Sequence, residues 1–320
     1  MPHAKFPVTP VADVQFAAPG GTPLFADLFL PDNPLAPPPI VVWVHGGGWR
    51  FGNRRIAPDL TRFFAQSGLA MVAVDYRLTN RAIFPAQIED LKTAIRWLRS
   101  VASTYGLDRH RIGVMGASAG GHLAALAGLT PAGSFEPDDA EYRDESSEVQ
   151  AVVAGYPPVD FLQLDTHRPP EGTVSDDPEN LRMRRGPDLR ATDADSFESM
   201  LLGSPIAACP DRVRQANPIA YAGPGAPPFL ILHGTSDTTI GFQQSRILYD
   251  ALARHHGNDV TLCLIETLGH GFLSRTHLDD GPPRRMTVHH HHHGEEQVEQ
   301  LRQPIFPSIE AFFAAHLLRG

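Results

Sequence analysis

The stretch RIGVMGASAGGHLAALAGL, residues 111–129, decides how the rest of the chain is interpreted. Its first residues are mostly apolar, as in a buried strand, and the leucines and alanines after Ser118 suit the face of a helix. The stretch therefore predicts a strand, a sharp turn and a helix, with Ser118 at the turn.

Gly116, Ser118 and Gly120 form the pattern G-x-S-x-G at this turn. Between a strand and a helix, the pattern is typical of a nucleophile elbow. There a strained corner points a serine hydroxyl away from the sheet, and the glycines let neighbouring backbone pass closely. The pattern also recurs by chance, and a small-residue turn that only packs a helix on a strand is the alternative. The partners of Ser118 elsewhere in the chain separate the two interpretations.

Strands and helices alternate along the chain. Apolar runs predict strands over residues 11–18, 24–30, 40–44, 69–75, 149–155, 228–232 and 259–266. Apolar residues at helical spacing predict helices over residues 58–67, 85–105, 242–255 and 306–318. This alternation predicts an α/β fold, in which helices cover both faces of a mostly parallel sheet that begins with an antiparallel pair at one edge.

We expect one domain over residues 1–320, with two insertions. Residues 157–217 carry many prolines, charges and short apolar islands, which predicts a lid or binding region over the edge of the sheet that holds the G-x-S-x-G turn. A disordered excursion is the alternative for residues 176–195. Residues 274–303 predict a second, irregular insertion, a mobile loop that includes five histidines at 289–293. Such a run can bind Zn²⁺ or Ni²⁺ opportunistically, but it lacks the spaced ligands of a structural site.

The composition argues against several classes of partner. A formal net charge of −9 disfavours nucleic acid and anionic membrane surfaces, which need clustered Lys and Arg, and no apolar run approaches a membrane span. Two cysteines, Cys209 and Cys263, cannot build a disulfide framework, and residues 1–16 lack the apolar run of a secretory signal. We therefore expect a cytoplasmic protein that acts on a small neutral or moderately polar molecule; the sequence carries no signal for an oligomeric state.

The motif HGGGW, residues 45–49, directly follows a predicted buried strand. Consecutive glycines that leave a strand can turn their N–H groups toward one point, and such donors stabilise a developing oxyanion. A merely flexible loop is the alternative interpretation.

Asp237 and His270 are the candidate acid and base for Ser118. Asp237 ends the motif HGTSD after a late strand, where a carboxylate can orient an imidazole; a turn-forming or helix-capping aspartate is the alternative. His270 lies in a glycine-flanked loop beyond the predicted final strand, and histidine titrates near neutrality. The order Ser, Asp, His along the chain is what distinguishes His270 from the other histidines.

Together, these motifs resemble those of α/β-hydrolases of the esterase and lipase type. The resemblance covers residues 40–320, fades in both insertions and depends on HGGGW, DYRL at 75–78, GASAGGHLA, HGTSD and GHGF in this order. Hormone-sensitive-lipase-like esterases often have Asp and Asn where this chain has Ala117 and His122. The nucleophile motif is therefore more similar to the branch of feruloyl and acetylxylan esterase-like proteins and kynurenine formamidases.

The resemblance implies a serine esterase with an α/β-hydrolase fold, whose oxyanion hole is formed by the backbone N–H groups of Gly47, Gly48 and Ala119. We expect Ser118 to attack a small ester through an acyl-enzyme, with His270 as the base and Asp237 holding it. This mechanism requires no metal and no organic cofactor. An amidase or peptidase with the same triad, formamidase-like, and a non-catalytic binding protein on the same scaffold are the alternatives.

Overall fold

The computed structural model describes residues 5–137, 140–168 and 190–318. Within these ranges the strands are β1 (Val8–Ala17), β2 (Leu24–Pro31), β3 (Pro39–Val44), β4 (Ala70–Val74), β5 (Asp108–Ala117), β6 (Ala151–Gly155), β7 (Phe229–Gly234), β8 (Val260–Ile265), β9 (Arg284–His292) and β10 (Glu295–Gln303). The α-helices are α1 (Leu60–Phe63), α2 (Ala86–Tyr105), α3 (Ala119–Leu129), α4 (Phe197–Leu202), α5 (Pro210–Ala216), α6 (Gln243–Ala253) and α7 (Ile305–Leu317).

All of these strands belong to one sheet, in the order β1-β2-β4-β3-β5-β6-β7-β8-β9-β10. The six central strands are parallel to one another, namely β4, β3, β5, β6, β7 and β8. β1 and β2 at one end, and β9 and β10 at the other, pair antiparallel. The predicted mostly parallel sheet and the antiparallel pair at its first edge are confirmed.

The central strands are apolar throughout because both of their faces are buried. In β3, Val42 and Val44 belong to the core under α2, α3 and α6, whereas Val41 and Trp43 belong to the core under α1 and α7. Each of these four side chains is fully buried, and burial of one such side chain stabilises the fold by roughly 1.5–3 kcal/mol. Double burial removes the polar alternation that a strand with one exposed face shows.

The helix predicted over residues 58–67 is shorter in the structure. α1 ends at Phe63, because Phe64 leaves helical geometry with a φ of −136°. The Phe64 ring is fully buried and packs edge-on against Phe306 of α7, with the ring centroids 5.9 Å apart. Tertiary packing of one aromatic ring therefore outweighs the helical spacing of the neighbouring residues.

The second insertion does not form an irregular loop, so that prediction was wrong. β9 and β10 make an antiparallel hairpin that extends the sheet beyond β8. Met286 and Val288 of β9 are buried in the core under α7, and four of the five histidines continue the same strand. A run of identical histidines hides the period-two pattern from which a strand is predicted, so the pairing with β8 decides its conformation.

The described ends of the first insertion pack against the rest of the fold. Val159 and Phe161 are fully buried, as are Leu201 of α4 and Val213 of α5. Most of residues 176–195, for which a disordered excursion is the alternative to a lid, lies outside the described residues. None of the helices in the described ranges combines the length and the apolar composition needed to cross a membrane.

Candidate active site

Ser118 occupies the sharp turn between β5 and α3. Its φ of 56° and ψ of −119° place a non-glycine residue in a strained backbone conformation. Two backbone hydrogen bonds hold the turn: Ser118 N–H donates to the Gly155 carbonyl at 2.8 Å, and the Ser118 carbonyl accepts the His122 N–H at 2.9 Å. The predicted strand, turn and helix are confirmed, with the serine at the corner.

The glycines of the G-x-S-x-G pattern allow close backbone packing. A Cβ atom on Gly116 would lie 2.2 Å from the Gly120 carbonyl oxygen. A Cβ atom on Gly120 would lie 2.1 Å from the Val44 carbonyl oxygen. Both distances are far below van der Waals contact, so α3 can sit this close to β5 and β3 only with glycine at both positions.

The structure brings Ser118, Asp237 and His270 together. The His270 Nε2 lies 2.9 Å from the Ser118 Oγ, and the His270 Nδ1 lies 2.7 Å from the Asp237 Oδ2. Because Nδ1 faces a carboxylate, it carries the proton, and the lone pair of Nε2 accepts the Ser118 hydroxyl. This chain of hydrogen bonds can turn a serine hydroxyl into a nucleophile.

Asp237 is fully buried and surrounded by donors. Its Oδ1 accepts the backbone N–H groups of Thr239 at 2.8 Å and Ile240 at 2.9 Å. Burial alone would raise the pKa of Asp237, but the facing His270 and the hydrogen bonds from His233 and His270 outweigh it and hold the pKa below its usual range. Asp237 therefore stays ionised, and it both stabilises the local turn and orients His270.

His270 follows β8, which is the last parallel strand but not the final strand. The expectation that it lies beyond the final strand was wrong, because β9 and β10 come later in the chain. Its placement is nevertheless close to Ser118, since the carboxyl ends of parallel strands lie at one edge of a sheet.

Two side chains that contact the triad were missed by the sequence analysis. The Nε2 of His233 lies 3.3 Å from the Asp237 Oδ2, and its Nδ1 lies 2.6 Å from the Ser245 Oγ. The ring of Tyr156 stands edge-on to His270, with the centroids 4.7 Å apart. The position of His233, at a strand end four residues before Asp237, was a sequence signal for a contact with Asp237. The sequence around Tyr156 gave no signal for its contact with His270.

The HGGGW loop after β3 runs directly beside the nucleophile. A Cβ atom on Gly46 would lie 3.4 Å from the Ser118 Cβ. The next three residues, Gly47, Gly48 and Trp49, have φ values of 111°, 59° and 56°. Successive positive φ values turn the loop sharply, which explains why glycine occupies two of these positions.

Gly47, Gly48 and Ala119 are the expected oxyanion-hole donors. In the part of the chain that the structure describes, their backbone N–H groups donate no hydrogen bond to another residue. Ala119 is the first residue of α3, where the N–H has no intrahelical partner and the helix dipole favours negative charge. Uncommitted N–H groups beside a serine are suited to bind a developing oxyanion.

An aromatic ring of α4 lies against Gly48. A Cβ atom on Gly48 would lie 2.8 Å from the ring of Phe197, the first residue of α4. The Phe197 ring stands edge-on to Phe51, with the centroids 6.2 Å apart. The described end of the first insertion therefore places the apolar ring of Phe197 against Gly48.

Residues 26–252 match the BD-FAE family, which is more than half of the chain. The chain belongs to the BD-FAE family. Among the residues of this BD-FAE chain that the structure describes, no group of three or more His, Cys, Asp or Glu side chains is arranged to hold a metal ion.

The BD-FAE chain is similar to two proteins of Mycobacterium tuberculosis. It is 34% identical to esterase LipC over 248 residues, which cover 75% of this chain and 55% of LipC. It is 30% identical to the probable carboxylic ester hydrolase LipM over 236 residues, which cover 73% of this chain and 49% of LipM. The chain thus spans about half the length of these curated relatives.

Two solved esterase structures share the architecture of the BD-FAE chain. A truncated carbohydrate esterase from gut microbiota superimposes with a TM-score of 0.73 at 23% identity over 99% of both chains. Propionate-bound Est2 of the Planctomycetes species Thermogutta terrifontis superimposes with a TM-score of 0.60 at 26% identity, over 84% of this chain and 85% of Est2. The BD-FAE chain therefore has the α/β-hydrolase fold, and the predicted resemblance to esterases of this fold is confirmed.

Proposed function

We propose that this chain hydrolyses carboxylic esters of small neutral or moderately polar molecules through an acyl-enzyme on Ser118. The hydrogen-bonded series of Asp237, His270 and Ser118, with distances of 2.7 Å and 2.9 Å, carries the proposal. The esterase relatives support it, since LipC, LipM and Est2 are all named as ester hydrolases or esterases.

The reaction begins when the Ser118 Oγ attacks the ester carbonyl carbon and the His270 Nε2 takes the hydroxyl proton. The N–H groups of Gly47, Gly48 and Ala119 stabilise the negative oxygen of the tetrahedral intermediate, at roughly 3 kcal/mol for one such donor. His270 then returns the proton to the leaving alcohol. Water attacks the acyl-enzyme in the same manner and releases the acid and the free serine.

The test is a comparison of Ser118→Ala with Ser103→Ala, an exposed serine of α2 that serves as the matched control. We expect Ser118→Ala to abolish hydrolysis of p-nitrophenyl acetate and Ser103→Ala to leave it unchanged. A fluorophosphonate should label the wild-type chain at Ser118, as located by peptide mass spectrometry. Wild-type hydrolysis by a folded Ser118→Ala variant contradicts the proposal.

The two alternatives gain no support from the relatives. An amidase would use the same triad, and a panel of ester and amide substrates with the same acyl group measures the preference directly; we expect the ester to be cleaved faster. A non-catalytic binding protein would leave Ser118 unlabelled by the fluorophosphonate.

We also propose that the chain acts in the cytoplasm. Cys209 and Cys263 are both buried free thiols, which suits a reducing compartment. Cell fractionation of the expressing organism tests this location, and recovery of the protein outside the cytoplasmic fraction contradicts it.

A further inference from the structure

A buried hydrogen bond joins the loop that carries Gly47 and Gly48 to the helix that follows Ser118. The indole Nε1 of Trp49 lies 3.2 Å from the Nδ1 of His122. Trp49 directly follows Gly48 in the chain, and His122 lies four residues after Ser118 on α3. Both side chains are buried, with exposed fractions of 1% and 0%.

The second hydrogen bond of His122 determines where its proton lies. The His122 Nε2 is 2.7 Å from the carbonyl oxygen of Ala216, the last residue of α5, and a carbonyl oxygen can only accept. Nε2 therefore carries the hydrogen, and Nδ1 is left to accept the indole N–H of Trp49. Burial lowers the pKa of His122 to about 4, so this neutral form persists at neutral pH.

Trp49 needs a tertiary contact because its backbone is strained. A φ of 56° is rare for a bulky residue, and such a conformation persists only where the surroundings hold it. The Trp49 carbonyl accepts the Thr79 N–H at 2.9 Å. The indole is held by His122 and by the ring of Phe161, whose centroid lies 5.6 Å away.

We propose that Trp49 and His122 are positioning residues, whose hydrogen bond holds the N–H groups of Gly47 and Gly48 in register with Ser118. The inference rests on the proposed function, because the register matters only if those N–H groups bind an oxyanion. Without the bond, the strained turn relaxes and the donors move relative to the tetrahedral intermediate. Substrate binding in the ground state changes little, so the loss falls on kcat rather than on KM.

Asparagine and glutamine at position 122 separate the two hydrogen bonds of the histidine. The amide oxygen of Asn reaches about the position of Nδ1, and the amide nitrogen of Gln reaches about the position of Nε2. His122→Asn therefore keeps the acceptor for Trp49 and loses the donor to Ala216, whereas His122→Gln does the reverse. Trp49→Phe keeps an aromatic ring and removes the indole N–H. Trp97→Phe, at a buried tryptophan of α2 that packs on Phe16, is the matched control.

The experiment measures kcat and KM for p-nitrophenyl acetate with the full chain, below the unfolding midpoint of every variant. We expect Trp49→Phe and His122→Gln each to lower kcat by about tenfold to a hundredfold with KM within about threefold of wild type. His122→Asn and Trp97→Phe should keep kcat within about threefold. The double variant of Trp49→Phe and His122→Gln should be no slower than the slower single variant, because both changes remove the same bond.

Equal losses in His122→Asn and His122→Gln overturn the inference, as do additive losses in the double variant or a loss confined to KM. If His122→Asn does not fold, the double-variant comparison still decides. Ser118→Ala keeps the two proposals distinguishable. An inactive Ser118→Ala together with wild-type kcat in Trp49→Phe and His122→Gln removes only this inference, whereas an active Ser118→Ala removes the proposed function itself.

Discussion

Replacement of Asp237 by asparagine keeps the shape of the side chain but replaces one acceptor oxygen with an NH₂ group, which is a hydrogen-bond donor. In the wild-type chain one carboxylate oxygen accepts the N–H groups of Thr239 and Ile240, at 2.8 Å and 2.9 Å. The other accepts the His270 Nδ1–H at 2.7 Å. Because backbone N–H groups only donate, the asparagine oxygen must face Thr239 and Ile240, and the NH₂ group must face His270.

This orientation reverses the tautomer of His270. The NH₂ group donates to Nδ1, so the proton of the imidazole moves to Nε2 and points at Ser118. The lone pair that takes the hydroxyl proton in the proposed mechanism is then lost. A triad that keeps its geometry but has the wrong tautomer loses about 10⁴-fold in kcat. At 1.36 kcal/mol for each factor of ten, we expect an increase in the activation free energy of about 5.5 kcal/mol.

The assay is steady-state hydrolysis of p-nitrophenyl acetate, corrected for spontaneous hydrolysis, together with thermal unfolding of each variant. Asp280→Asn is the matched control, because Asp280 is a partly exposed carboxylate that pairs with Arg62 and His277. We expect Asp280→Asn to leave kcat unchanged. A folded Asp237→Asn variant whose kcat stays within about tenfold of wild type would contradict this prediction, because His270 would then be oriented by another group.

Three further predictions follow from backbone packing and from buried histidines. Gly48→Ala should lower kcat by about tenfold or more, because its Cβ would lie 2.8 Å from the Phe197 ring. The control is Gly106→Ala, which has a similar positive φ and no atom within 4 Å of the added Cβ, and which should leave kcat unchanged. Equal kcat values for the two variants would contradict the prediction. Gly120→Ala should lower the free energy of unfolding by about 3 kcal/mol in urea denaturation, because its Cβ would clash with the Val44 carbonyl. The control is Gly257→Ala, whose Cβ would lie in open space and which should leave this free energy unchanged. Similar decreases in the free energy of unfolding for both variants would argue against this packing. Burial lowers the pKa of both His45 and His122 to about 4. Between about pH 4 and about pH 6.5 the unfolded chain therefore binds protons at these histidines that the folded chain does not bind, so the free energy of unfolding falls as the pH drops. Between about pH 7 and about pH 5, each of the two histidines should lower the free energy of unfolding by about 2 kcal/mol. In urea unfolding, the free energy of unfolding of His122→Asn should therefore fall by about 2 kcal/mol less than that of wild type over this pH range. Equal decreases would show that His122 is not the source.

Local sequence patterns were sufficient for the centre of the fold. Five consecutive apolar residues at 40–44 can be buried only if both faces of a strand are covered, and the glycines around Ser118 permit one kind of close turn. The same reasoning failed at the edge of the sheet, where β9 contains adjacent histidines. Pairing with β8 and β10 decides that conformation, and pairing is a long-range property that the local pattern does not display.

The amino-acid sequence gives the candidate groups in the order Ser118, Asp237 and His270, and its apolar runs predict the parallel sheet at whose edge these residues meet. The folded chain is needed to establish that His270 lies 2.9 Å from Ser118, 152 positions away, that His233 also contacts Asp237, and that Trp49 donates a hydrogen bond to His122. The first and the last of these contacts depend on short distances between residues that are far apart in the chain. A hydrogen bond requires its atoms to be placed within a few tenths of an ångström, and such placement between distant residues comes from the packing of whole helices and strands against one another.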